Sequence, residues 1–265
     1  MRNTSRRREQ ILCQLVETGS VHVAELVVRF GVSAVTIRGD LEQLESQGLA
    51  VRNHGGATLM RMPPQEHSMR QKDTLHAAQK DAIGAAAAQF VQPGDNIIID
   101  SGTTTMPLAR RLRDATDVTV MTNGLNIAWE LADAPGVRLI LTGGTLRKQS
   151  LSLQGAQAEA CLNEYNFDTL FLGVDGLDLK FGLTTHHEAE ARLNHRMVER
   201  ARRVIVVSDA SKFGRVSLHR IALLDRVDIV VTDPAITAEY REGLERQGVT
   251  VVVATVEVPL PVDPG

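Results

Sequence analysis

The chain has 265 residues, a formal net charge of −3 and 43% hydrophobic residues, which is enough apolar material for the cores of two domains. No apolar run is long enough to span a bilayer, and no apolar stretch follows the basic start, so we expect neither a membrane helix nor a secretory signal. The isolated Cys13 and Cys161 exclude a disulfide framework and favour a reduced, cytoplasmic protein with no membrane partner.

The first sixty residues carry the pattern of three helices. Apolar spacing predicts two helices before Gly31, which tolerates the backbone angles of a tight turn. Ser33 is placed to cap a third helix by accepting a free backbone N–H. In that helix Ile37, Leu41 and Leu44 recur at i, i+4 and i+7, so we expect them to pack inward as one stripe. Helices of this kind also occur in ordinary helical bundles.

A short hairpin is predicted after the third helix, which we expect to end at Gly48. Residues 49–56 alternate and turn as the wing of a winged helix-turn-helix would, and such domains insert the start of the last helix into the major groove. The arginines at the chain start fit phosphate contacts, or simply a solvated helix start. The predicted DNA-binding residues are Arg6, Arg7, Ser33, Val35, Thr36, Arg38, Arg52 and His54.

The rest of the chain predicts a linker and then a mostly parallel α/β domain. Residues 61–75 include Pro63-Pro64 and are mostly polar. Beyond them, short apolar runs alternate with helical patterns, which indicates a sheet covered by helices on both faces. We therefore divide the chain into a winged helix-turn-helix domain (1–60), a linker (61–75), an effector domain (76–256) and a disordered tail (257–265). The predicted strands are 96–100, 118–122, 137–142, 168–175, 203–209, 227–232 and 249–254.

Loops rich in small polar residues follow several of these strands. Ligands of such sheets bind beyond the carboxyl ends of the strands, and glycine and hydroxyl residues at a helix start suit an anion. The charged side chains in these loops suit hydroxyls and a phosphate, so we predict a small phosphorylated ligand, although similar loops also form ordinary turns. The predicted contacts are Asp100, Ser101, Gly102, Thr103, Thr104, Thr122, Asn123, Gly124, Gly143, Gly144, Asp175, Asp209 and Lys212.

The run His186-His187-Glu188 invites a metal interpretation that its spacing does not support. A zincin motif needs a histidine at position 191, which is alanine. Glu188 instead starts a predicted helix, where an acid suits the helix dipole, and from there it could face the ligand pocket. The chain has no Walker A loop and no G-x-G-x-x-G motif. We therefore expect no metal and no cofactor.

These segments resemble the DeoR family of bacterial sugar-operon regulators. The segment VTIRGDL (35–41) matches the V-T-I-R-x-D-L signature, and RNHGGA (52–57) matches R-x-x-G-G-A. The runs DSGTTT, TNG, TGG, LFLGVDG and SDASKFG also resemble the family, so the likeness extends from about residue 6 to about residue 254. The runs FGLTTHHEAEARLNHRM and SLHRI resemble the branch that regulates N-acetylgalactosamine and galactosamine use.

The resemblance implies a repressor whose C-terminal domain is similar to ribose-5-phosphate isomerase and binds a phosphorylated sugar, such as an amino-sugar phosphate or tagatose phosphate. By position, Ser101 to Thr104 would hold the phosphate. Asp175, Glu188, Asp209 and Lys212 would contact the sugar or close the pocket. A homodimer or homotetramer would bind double-stranded operator DNA at half-sites about one helical turn apart.

Two further points bear on this interpretation. Gly39 departs from the family, in which arginine, lysine or asparagine is frequent at that position, so the operator sequence need not be that of better-known relatives. The alternative function is a sugar-phosphate isomerase-like enzyme, in which Asp175, Glu188 and Lys212 would act as acid, base and electrostatic clamp. Fold similarity does not imply shared activity, and a DNA-reading domain has no role in simple catalysis, so we expect no enzymatic activity.

Overall fold

The computed structural model describes residues 7–8, 10–12, 14–15, 18–46, 50–53, 55–59 and 68–256. The chain forms two compact units that divide after residue 65. Separate hydrophobic cores serve the two units, one in the first and two in the second. The predictions for Arg6, Gly48, His54, the linker residues 61–67 and the tail 257–265 lie outside the described residues.

The first unit is a winged helix-turn-helix, as the sequence predicts. After a helical segment, the chain forms β1 (Ser20–His22), α1 (Val23–Phe30), α2 (Ala34–Ser46), β2 (Ala50–Asn53) and β3 (Gly56–Leu59). The strands pair antiparallel in the order β1-β3-β2. Gly31 adopts the left-handed conformation (φ 64°) and its N–H donates to the Val27 carbonyl at 2.9 Å, which ends α1 and makes the turn. The predicted apolar stripe of α2 is buried.

The second unit alternates strands and helices in the predicted order. Its first half contains α3 (Met69–Thr74), α4 (Ala77–Ala88), β4 (Asn96–Ile99), α5 (Met106–Arg111), β5 (Val118–Thr122), α6 (Leu125–Leu131), β6 (Val137–Leu141), β7 (Thr145–Arg147) and β8 (Ser152–Gln154). Its second half contains α7 (Ala156–Leu162), β9 (Phe167–Gly173), β10 (Gly176–Asp178), β11 (Gly182–Thr185), α8 (Glu188–Arg200), β12 (Ala201–Val207), β13 (His219–Ala222), β14 (Ile229–Thr232), α9 (Ala238–Arg246) and β15 (Thr250–Val253).

Seven of these strands form one parallel sheet in the order β15-β14-β12-β9-β4-β5-β6. Ile97 and Ile99 face one core, which α4, α5 and α6 complete, while Ile98 faces the other, which α7, α8 and α9 complete. Both faces are therefore buried, and this accounts for the continuous apolar strands of the sequence.

The structure also contains elements that the sequence pattern does not predict. Residues 69–74 of the predicted linker form α3, because Ser68 and Gln71 make a reciprocal capping box at its start. The hairpin β7-β8 and the small antiparallel sheet β10-β11-β13 were also missed. Their strands have three or four residues, which is too short for a recognisable alternation of apolar and polar side chains.

Candidate functional site

The first half of α2 presents a row of exposed side chains. Ser33 caps the helix: its Oγ accepts the Thr36 N–H at 3.2 Å and lies 2.9 Å from the Thr36 hydroxyl. Val35 is 76% exposed although it is apolar, and Thr36 and Arg38 are exposed beside it. An exposed methyl group between a hydroxyl and a guanidinium is suited to base edges in a major groove, where thymine methyls and hydrogen-bonding groups alternate.

The arginines of the first unit have different surroundings. The Arg7 Nε donates to Asp40 Oδ2 at 2.5 Å, and the Arg8 Nε donates to Asp40 Oδ1 at 2.9 Å. Asp40 is 2% exposed, so Arg7 neutralises a buried carboxylate, and the predicted phosphate contact of Arg7 would compete with this ion pair. Arg52 remains 38% exposed on the wing, and its backbone N–H donates to Glu45 Oε1 at 3.0 Å, which ties the wing to α2.

An open cleft lies in the second unit, beyond the carboxyl ends of β4, β9 and β12. From β4 the chain adds β5 and β6 on one side and later β9, β12, β14 and β15 on the other, so the strand order reverses between β4 and β9. In open parallel sheets, ligands bind in the crevice at such a reversal. The predicted residues that line the cleft are Asp100, Ser101, Gly102, Thr103, Thr104, Asp175, Asp209 and Lys212.

A second predicted loop supports the cleft from behind. The Asn123 Oδ1 accepts the Ser101 N–H at 2.9 Å, and Asn123 is completely buried. Thr122 is buried too, and its hydroxyl accepts the Gly124 N–H at 2.9 Å. A Cβ on Gly124 would lie 2.9 Å from the Ser101 Cα, so the two loops are in close contact. Thr122, Asn123 and Gly124 therefore position the lining loop and do not line the cleft themselves.

Three other predicted contacts lie elsewhere. Gly143 and Gly144 follow β6, the edge strand on the far side of β5, so they do not reach the cleft. Glu188 is exposed outside the cleft, and Glu190 lines it instead. Side chains two positions apart on a helix point about 200° away from each other, so only one of the two acids can face inward. The prediction that Glu188 contacts the ligand is therefore wrong, and Glu190 is the acid of α8 that lines the cleft.

Four cationic side chains converge on the cleft: Lys72 from α3, Lys80 from α4, and Lys212 and Arg215 from the segment after β12. Burial lowers the pKa of Lys80, and the opposing charge of Asp209 only partly offsets this. Burial likewise lowers the pKa of Lys212. An ammonium group that has lost water in this way is stabilised by an anionic ligand. The partly desolvated cations of the cleft therefore favour the binding of an anion.

The pKa values of two carboxyl groups in the cleft, Asp100 and Asp175, are shifted in opposite directions. Asp175 Oδ1 accepts from the Lys72 Nζ at 2.7 Å, and its Oδ2 accepts from the Thr185 hydroxyl at 3.0 Å. Burial alone would raise the pKa of Asp175, but the charge and the hydrogen bond of Lys72, together with the charges of His186 and Lys212, outweigh burial and lower it. Burial, followed by the negative charge of Glu190, raises the pKa of Asp100 well above its usual range. The cleft thus favours an ionised Asp175 and a neutral Asp100, which can donate a hydrogen bond.

Sequence reasoning missed Lys72, Lys80, Glu190 and Arg215. Arg215 belongs to the same loop as Lys212, so a wider reading of that loop would have included it. Lys80 is a cation in an alanine-rich helix, and its burial was a recognisable signal only once that helix was placed on the sheet. For Lys72 the sequence gives no signal, because its segment resembles a linker.

Within the described residues, His, Cys, Asp and Glu side chains form no group of three or more that could hold a metal ion. None of the helices in this part of the chain combines the length and the apolar character needed to cross a bilayer.

The two units together define a DNA-binding regulator with a ligand-sensing domain, and comparison with known proteins agrees. Residues 7–62 match the DeoR-like helix-turn-helix domain, and residues 75–234 match the DeoR C-terminal sensor domain. The chain is 51% identical over 252 residues to a putative aga operon transcriptional repressor of Escherichia coli O157:H7, covering 94% of each protein. The HTH-type transcriptional regulator GlpR of Haloferax volcanii is 39% identical over 246 residues, covering 93% of this chain and 96% of that protein. The chain belongs to the DeoR family.

Among solved structures, ribose-5-phosphate isomerase A from Methanocaldococcus jannaschii is similar to part of the chain. The identity is 17%, the TM-score is 0.38, and the match covers 51% of this chain and 53% of the isomerase. A likeness of this size carries no functional conclusion.

Proposed function

We propose that the protein represses a sugar-catabolic operon and that a phosphorylated sugar bound in the cleft controls its affinity for DNA. The observation that carries the proposal is the convergence of Lys72, Lys80, Lys212 and Arg215 on a cleft lined by the hydroxyls of loop 101–104. A phosphate pairs with the cations, and the sugar hydroxyls suit the carboxyl groups. The relative at 51% identity is named an aga operon repressor, which supports an amino-sugar or tagatose phosphate as effector.

On the DNA side, we propose that Thr36 and Arg38 contact base edges and that Val35 meets a thymine methyl. Ser33 is exposed next to Thr36, and Arg52 is exposed on the wing near Glu42 and Glu45; both are suited to phosphate contacts. A helix-turn-helix unit reads one half-site, so a homodimer or homotetramer is required to read two. The effector changes DNA affinity only if it binds the DNA-competent and the released states unequally.

The test is DNA binding measured by fluorescence anisotropy, at fixed salt, on fragments from the promoter of the chain's own gene and its neighbours. We expect one fragment to bind tightly and to respond to galactosamine 6-phosphate or tagatose 6-phosphate but not to the free sugars. Arg38→Ala should lose about 1–3 kcal/mol of preference for that fragment over unrelated DNA. Lys212→Ala should abolish the response to the sugar phosphate, whereas Lys180→Ala, an exposed lysine outside the cleft, should retain it.

Two results would contradict the proposal. Unchanged fragment preference in Arg38→Ala would show that α2 does not read the bases. A wild-type protein that responds to no sugar phosphate would show that the cleft senses another kind of ligand.

A further inference from the structure

Helix α3 is the first described element after the boundary between the units at residue 65, and its Lys72 lines the cleft. Its six residues are too few to form a stable helix without tertiary support. The capping box of Ser68 and Gln71 fixes its start, and the Met69 N–H donates to the Gln149 carbonyl at 3.1 Å. The position of α3 therefore depends on contacts that its residues make with the rest of the second unit.

The contacts at the other end of α3 involve the cleft charges. The Lys72 Nζ lies 2.7 Å from Asp175 Oδ1, and the pair joins residues 103 positions apart in the sequence. The buried Lys80 ammonium donates to the Lys72 backbone carbonyl. Lys72 is thus bound through its side chain and its backbone to two groups that line the cleft. A change in the charge of the cleft acts on α3 directly.

An anion entering the cleft competes with Asp175 for Lys72. Asp175 keeps the Thr185 hydroxyl as a second hydrogen-bond donor, and Lys212 lies close enough to lower its pKa further, so it can lose part of its contact with Lys72. The side chain of Lys72 is 23% exposed and that of Asp175 is 9% exposed, so the pair is only weakly screened by water. The strength of the Lys72–Asp175 ion pair therefore depends on whether an anion is present.

We infer that Lys72 binds the anionic group of the cleft ligand and that the resulting change in its ion pair with Asp175 repositions α3, the element that follows the DNA-binding unit. The inference rests on the proposed function. It adds a response of α3 to the bound anion, through a residue that precedes the matched part of the sensor domain, which begins at residue 75. It also gives the sensor a physical connection to the chain segment that leads to the DNA-binding unit.

The test compares the full-length wild type with Lys72→Met, which keeps the apolar stem and removes the charge, and with Lys72→Arg, which keeps the charge. Lys180→Met is the matched control, because Lys180 is exposed and outside the cleft. The probes are inorganic phosphate, galactosamine 6-phosphate and tagatose 6-phosphate. Three quantities are measured: hydrogen exchange of the amides of residues 69–76, probe affinity by calorimetry, and the ratio of operator affinities with and without saturating probe.

In the wild type we expect a bound probe to change amide exchange in α3. Without any probe, Lys72→Met should exchange α3 amides faster than the wild type, because the ion pair is missing. Its probe affinity should fall about tenfold, the loss of one charged hydrogen bond. Its operator-affinity ratio should move toward one, and Lys72→Arg should recover part of each effect. Lys180→Met should behave as the wild type.

The possible contradictions are distinguishable. If no probe binds the wild type, both the proposed function and this inference fail. If probes bind Lys72→Met with wild-type affinity, and if the α3 amides of the wild type exchange at the same rate with and without probe, this inference alone fails. If affinity falls but the operator ratio at saturating probe is that of the wild type, Lys72 binds the anion without transmitting its presence, and the role of α3 is overturned.

Discussion

The two units place their functional side chains in opposite ways. In the first, Val35, Thr36 and Arg38 lie side by side on one exposed helix surface. In the second, the charged groups of the cleft are largely buried and come from segments between Lys72 and Arg215. A DNA duplex is met by a convex surface, whereas a small ligand must be surrounded. Buried charge in the first unit should therefore serve stability, and buried charge in the cleft should serve binding at some cost to stability.

The largest effect should follow removal of Asp40, the buried acid of α2. Asp40→Ala leaves the guanidiniums of Arg7 and Arg8 without their partner, and we expect the first unit to lose about 3 kcal/mol of unfolding free energy. Hydrogen exchange of the α2 amides during denaturant titration measures this for the first unit separately. Glu42→Ala is the control, because Glu42 is 71% exposed on the same helix. Equal stability of the two variants would mean that the buried pair does not hold the unit.

A buried glycine of the second unit should give the next largest effect. A Cβ at Gly84 in α4 would lie 2.5 Å from Pro107 Cβ and 2.7 Å from the Leu108 backbone nitrogen. Gly84→Ala must push α4 and α5 apart, and we expect a loss of about 2 kcal/mol in denaturant unfolding. Because α4 carries Lys80, ligand affinity should fall as well. A variant with wild-type stability and ligand affinity would show that α4 and α5 can move apart at little cost in free energy.

Removing a buried charge from the cleft should raise stability, whereas removing Asp40 should lower it. The raised pKa of Asp100 means that its contribution to stability is fully present below the pKa of the unfolded carboxyl, about 3.9, and declines as the pH rises toward the folded pKa. The gap corresponds to about 1.4 kcal/mol per pKa unit. Asp100 is 2% exposed and asparagine has nearly the same shape, so Asp100→Asn removes the titrating group with little change in packing.

Asp100→Asn should therefore unfold at a higher temperature than the wild type at neutral pH, and the difference should vanish near pH 4. Thermal unfolding of both proteins between pH 4 and pH 8 measures it. We expect the same variant to bind sugar phosphate more weakly. A Tm difference that is constant with pH would mean that Asp100 does not titrate between the folded and unfolded states.

The contrast between the units also explains what the sequence can predict. The strands of the parallel sheet, the helices between them and their order follow from local periodicity. The loops after β4, β9 and β12 could be grouped because parallel strands end at one edge. The inward choice of Glu190 over Glu188 depends on how α8 is rotated against the sheet, which its tertiary packing decides. Lys72 depends on a partner 103 positions away, and no local pattern contains that information.

The smallest expected change in stability follows substitution of a second helical glycine, Gly39. Gly39 in α2 is exposed, and a Cβ there would meet no atom within 4 Å, in contrast to Gly84. Gly39→Ala should therefore stabilise the first unit by about 1 kcal/mol, because alanine restricts the unfolded chain and favours helix. Denaturant unfolding followed by α2 hydrogen exchange measures it, and a loss of stability would show that Gly39 is not a plain helix position facing solvent.

Operator binding by the same variant decides why glycine stands beside Arg38. If Gly39→Ala binds the operator as the wild type does, the glycine is only a helix position of low propensity. If affinity falls more than about tenfold while stability rises, the added methyl group meets the DNA, and the absence of a side chain is what lets α2 approach the groove closely. The second result would make Gly39 a determinant of operator specificity. When α2 lies close to the base pairs, it favours those whose edges leave room for the helix.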